Sequence, residues 1–230
     1  MNLKKLSSLL ILILCFSLIG GQIPIALAQT NGASLENLSA GKRINGFRAN
    51  SVYLDDADKP LGGRFIHERT GFTIDLLQIQ SVPQSFIWVK SFPVSDMGEP
   101  HTQEHLLIGK GNKGRNLNVS KGMSLAQSSA STYQYYTVYQ FNTAGGGETF
   151  YKLFDEHLDV LLHPDYTEEE VRREVRNWGV SENPADKTLR LEEKGSVYNE
   201  MSSSMNQPGR RVAYMAQRMI YGAAHPISYN

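Results

Sequence analysis

The apolar residues of this 230-residue chain change period partway along, and that change limits the fold more than any other feature. Residues 63–79 read as a β-hairpin, with 64–67 and 72–77 flanking a turn at Thr70-Gly71. Further strands are predicted over 85–92 and over 132–143, the second rich in Tyr, Val and Phe and closed by glycines at 145–147. From there the period is helical: Phe150, Leu153, Phe154, His157, Leu158 and Leu161 recur at three- and four-residue steps. Pro100 opens an earlier helix, carrying 101–107, at a favoured first position, and residues 109–114 read as a Gly/Lys turn. Thr167 and Glu170 form a capping-box signature for a helix through Trp178. Another helix is expected from near Lys187 or Leu191 past Met201, and one more over 210–220. Strands first and helices later, with one helix between strands, define an α+β fold: an antiparallel sheet with helices packed on one side.

Residues 1–28 read as a signal peptide, with basic Lys4 and Lys5, an apolar run over 9–19 and a small-x-small cleavage site at Ala26-Leu27-Ala28. Export to a periplasm or the exterior is the implied localisation, with no stable membrane anchor after cleavage. A retained anchor is the competing reading; Gly20, Gly21 and Pro24 interrupt the run that a span needs. Residues 29–44 are Ser/Asn/Gly-rich and read as a flexible linker, leaving 45–230 as one domain that reads as truncated at its end. With 40% hydrophobic and 20% charged residues the chain has globular composition. Lys+Arg 23 against Asp+Glu 23 gives no basic excess, so nucleic acid is not an expected partner. The single cysteine, Cys15, excludes a disulfide framework and a CxxC zinc ribbon, so a bound metal must rely on His and carboxylates.

Pro100-His101-Thr102-Gln103-Glu104-His105-Leu106 is the stretch that carries chemistry. On a helix, His101 and His105 are one turn apart on one face, a spacing at which two imidazoles can share one tetrahedral zinc. Glu104 stands beside them, placed to take a proton from water, and His-x-x-Glu-His is the inverted form of the zinc-peptidase helix motif. The bland alternative is two surface histidines that happen to lie four apart. A catalytic zinc needs a third protein ligand from elsewhere. Glu168, Glu169 and Glu170 open a helix, where capping explains them; Glu192 and Glu193 adjoin Lys194; Glu200 lies among Val197, Tyr198 and Met201. Burial favours Glu200 and leaves Glu193 open. His67 is expected to bond locally, His157 to sit at the edge of the core and His163 to end a helix.

These motifs resemble the inverted-zincin peptidases of the pitrilysin and insulinase type, nearest the presequence-protease subgroup. The likeness rests on 92–106, on Ser129-Ala130-Ser131-Thr132 with 136–141, and on 194–201. It implies a zinc endopeptidase for short or unfolded peptides, with one Zn2+ per catalytic domain. His101, His105 and Glu200 are its implied ligands and Glu104 its general base. Ser129 and Ala130, on an edge strand, are implied to hold the peptide backbone, and Glu193, seven before Glu200, to support the metal site. Ser129 stands where the family usually has Asn, and Gln103 where it usually has an apolar residue. The family closes two halves around its substrate, so a missing C-terminal half or a partner subunit is an expected partner besides the peptide. An inactive or partner-dependent subunit of the same fold, acting in assembly or binding, is the alternative.

Overall fold

The computed structural model describes residues 35–229. The signal peptide and residues 29–34 of the expected linker lie outside the described residues. Among the described residues no helix is long and apolar enough to cross a membrane. The chain divides into two compact units, up to Gln80 and from Ser81. The fold is α+β and its strand pairs are antiparallel, spread over three sheets.

In the first unit, β1 (Arg43–Ile44), β2 (Phe47–Leu54), β3 (Pro60–His67) and β4 (Thr73–Leu77) form one sheet in that order. The β3–β4 pair is the expected hairpin. Arg64 and Asp75 face each other across it and form a two-bond ion pair at 2.7 and 2.8 Å. His67 does bond locally, Nδ1 lying 2.7 Å from the Thr70 hydroxyl. Residues 35–44 depart from the linker expectation. Leu35–Asn37 form a turn of 3-10 helix, Leu38 is buried beside Ala49 and Phe65, and Arg43–Ile44 join the sheet. Burial of Leu38, worth about 2 kcal/mol, adds to the backbone hydrogen bonds that Gly41 N and Lys42 O make with Ala49, and together they order this polar stretch.

The second unit carries the helices. β5 (Gln84–Lys90), β7 (Tyr136–Thr143) and β6 (Ala126–Thr132) form a sheet in the order β5-β7-β6. Helices α1 (Glu99–Gly109), α2 (Gly111–Met123) and α3 (Gly146–Leu162) bury Leu107, Leu117, Leu153 and Val160 against Tyr139 and Phe141 of β7. Phe86 and Trp88 of β5 remain exposed. The strand expected over 132–143 is the end of β6, a turn at Tyr133–Tyr135 and β7, so Tyr133 and Tyr135 are turn residues.

Three expectations are corrected. The Gly/Lys turn at 109–114 is the start of α2, because carboxylates distant in sequence cap it: Gly111 N donates to Glu170 Oε1, and Asn112 N and Lys113 N donate to Asp165, each at 3.1 Å. The capping box at Thr167 and Glu170 does open α4 (Glu168–Val175), but Trp178 belongs to β8 (Asn177–Glu182). The helix expected from Lys187 or Leu191 begins only at α5 (Ser196–Met205); before it, β9 (Leu189–Lys194) pairs with β8. Gly179 weakens a helix there, and Trp178, Val180, Leu189 and Leu191 follow the period of a hairpin whose turn contains Pro184. The last helix, α6 (Pro208–Tyr221), takes in the expected 210–220.

His163 caps the end of α3 as expected, whereas His157 lies deeper than the core edge: it is buried and stacks on Phe141 at 4.1 Å. Burial pushes its imidazole down to about 4, opposed by its bond to the Leu153 carbonyl and reinforced by the charge of Lys121. The unfolded chain therefore takes a proton near pH 6.5 that the folded chain refuses. This contribution to stability is complete above pH 6.5 and falls away toward pH 4, by about 3 kcal/mol at most. In urea titrations His157→Phe is expected to flatten the loss of stability between pH 6.5 and 4.5; an unchanged slope would remove His157 as its cause.

Candidate metal centre

Helix α1 starts after Gly98, whose φ of 71° makes the sharp entry, with Pro100 in the first turn. Leu106 and Leu107 are buried and anchor the helix, so its opposite side faces an open cleft of about 980 Å³. His101, Glu104 and His105 line that cleft, together with Ala130 and Thr132 of β6 and Glu200 of α5. The two imidazole Nε2 atoms are 3.2 Å apart. One Glu200 oxygen lies 3.3 Å from His105 Nε2 and the other 3.6 Å from His101 Nε2. A tetrahedral ion with ligand bonds of about 2.0–2.2 Å needs donors about 3.3–3.6 Å apart. The histidine nitrogens fall just short of that spacing and each Glu200 oxygen lies within it of one histidine, so His101, His105 and Glu200 together could hold a metal ion.

Glu200 reaches the cleft because Gly195 stops β9 at a φ of 132°, where an added Cβ would lie 2.7 Å from the Val175 carbonyl oxygen. Its side chain is 59% exposed, so the burial argument that singled it out does not describe it. Position does: it lies on the first turns of α5, facing the histidines.

Glu193 is placed elsewhere. It pairs with Arg176 and accepts a hydrogen bond from the Tyr198 hydroxyl, contacts that explain it without the histidines. A carboxylate that sequence reasoning missed, Glu174 of α4, touches the site instead. Its Oε1 is 2.8 Å from His105 Nδ1 and its Oε2 is 2.8 Å from Lys110 Nζ. Burial pushes this carboxyl up, but bonds from Lys110, His105 and Ser196 outweigh it and hold the group below the usual range. Glu174 sits among Glu168, Glu169, Arg172 and Arg173, which pair with one another on the surface, so its neighbours disguise it.

Glu104 is buried, and its Oε2 accepts a hydrogen bond of 2.7 Å from the Thr132 hydroxyl. No second hydrogen bond to the carboxylate comes from the described residues. Ala130 packs on the helix-covered face of the sheet and lines the cleft, whereas exposed Ser129 does not line it. Gln103, the departure noted in α1, accepts a hydrogen bond from the Tyr166 hydroxyl at 2.8 Å, which gives its amide oxygen a partner.

No family model matches the chain. It is 30% identical over 164 residues to an uncharacterized protein of Saccharomyces cerevisiae, a match that takes in 69% of this chain and 15% of that protein. The chain therefore spans a small part of the length of the relative it matches.

The placement of the two glutamates yields a direct test. In equilibrium dialysis against Zn2+, the full chain is expected to take up one ion, Glu200→Gln to lose most of that binding and Glu193→Gln to retain it. The reverse pattern would make Glu193 the ligand.

Proposed function

We propose that this chain carries the catalytic centre of a zinc endopeptidase of the inverted-zincin type. One observation supports the reading above others: donors of His101, His105 and Glu200 converge close to tetrahedral spacing in a cleft that Glu104 also lines. Zinc bound there would polarise a scissile carbonyl and acidify water. Glu104 accepts the water proton, on the oxygen that Thr132 does not occupy, and returns it to the leaving amine. Strand β6 is at the edge of its sheet among the described residues, so an extended peptide can add to it through backbone hydrogen bonds, with Ala130 leaving room beside the cleft. Backbone pairing suits short or unfolded peptides of varied sequence.

A second reading, dependence on further polypeptide, is favoured by exposed apolar side chains along α6: Val212, Met215, Met219 and Ile220. The covering element would come from another part of the protein or from a second subunit, and would also hold the substrate.

Hydrolysis of an unstructured peptide by the whole polypeptide of the encoding frame tests the chemistry. Glu104→Gln is expected to keep its zinc and lose about 10²–10⁴-fold in turnover. Equal turnover would remove Glu104 from the mechanism, and cleavage insensitive to chelators would remove the metal. The 230-residue chain alone is expected to hold zinc yet cleave little, because positioning contributes several kcal/mol to the rate. Robust, chelator-sensitive cleavage by the isolated monomer would overturn the second reading.

A further inference from the structure

We propose that Glu174 is the positioning residue of this metal centre: it holds His105 with its Nε2 lone pair turned toward Glu200, and Lys110 holds Glu174. The inference rests on the metal-site reading above and adds to it a residue that neither motif nor spacing indicates.

The geometry has three parts. Glu174 Oε1 lies 2.8 Å from His105 Nδ1, so an ionised carboxylate accepts a hydrogen bond from Nδ1–H, which keeps its hydrogen and leaves Nε2 as the acceptor nitrogen. That Nε2 is the atom 3.3 Å from Glu200 and 3.2 Å from His101 Nε2. The other oxygen, Oε2, meets Lys110 Nζ at 2.8 Å, and the Glu174 side chain is only 5% exposed. One carboxylate therefore ties α4 to the helix that bears both histidines. A carboxylate on the far nitrogen of a ligating histidine fixes its tautomer and raises its basicity, and its loss typically weakens metal binding about 10–100-fold. Glu193 has no such contact, so the supporting role moves from Glu193 to Glu174.

Zinc affinity measured on the full chain by competition with a chromophoric chelator tests this. Glu174→Gln, close to isosteric, is expected to weaken binding about 10–100-fold, Lys110→Met less but in the same direction, and Glu193→Gln by less than twofold. A wild-type chain that takes up no zinc overturns the metal centre and this inference with it. Wild-type binding with Glu174→Gln within twofold of it overturns this inference alone. Should Glu174→Gln fail to fold, ring-nitrogen NMR of the zinc-free wild-type chain decides independently. His105 with its hydrogen on Nδ1 is the expected result, and a hydrogen on Nε2 refutes the proposal.

Discussion

A carboxylate that is 5% exposed and still ionised needs partners, and the partners of Glu174 arrange the second unit around them. Burying a charge costs several kcal/mol unless matched charges and hydrogen bonds replace water. His105 belongs to the C-terminal half of α1 and Lys110 caps that helix. Satisfying one side chain therefore fixes α4 against α1. Because α1 is anchored independently by Leu106 and Leu107, the histidines are held from both sides of their helix. Removing either half of that support leaves the other carrying a misdirected ring or an unpaired charge.

Local signals were legible where local groups decide the structure. The hairpin around Thr70-Gly71, the proline-led helix with its two histidines and the capping box at Thr167 each close on residues within a few positions of themselves. What escaped depends on groups distant in the chain. Helix α2 has three glycines and an N-terminus satisfied by Asp165 and Glu170, roughly fifty residues on. Hairpin β8–β9 was hidden by its charged residues, which in the window 187–201 read as helix; Gly195, the residue that separates β9 from α5, sits inside that window.

The candidate site divides along the same line. His101, Glu104 and His105 are one motif on one helix, and Glu200 was reachable only through motif likeness and a burial argument that the exposed side chain does not obey. Glu174 was reachable by neither. Its sequence neighbours are the surface pairs Glu168–Arg172 and Glu169–Arg173, and only the packing of α4 on α1 separates it from them. A residue whose role is set by what it touches sixty-nine positions away leaves no periodic trace.

The other side of the cleft follows from proton counting. Each hydroxyl owns one hydrogen, and Thr132 gives its hydrogen to Glu104. Thr132 must then accept at its 3.2 Å contact with Thr137, and Thr137, having given its hydrogen away, must accept at its 3.0 Å contact with Ser91. The hydrogen bond that Glu104 accepts thus sets the direction of a chain that runs from Ser91 to Glu104, and Thr137 within it is 2% exposed. Aligned hydroxyls stabilise the negative charge at their end and strengthen one another. The same alignment occupies Oε2, so a proton arriving from the cleft finds its place on Oε1. On the proposed reading, Glu104 would gain and lose that proton without turning over its buried chain, as a group acting as base and then acid requires.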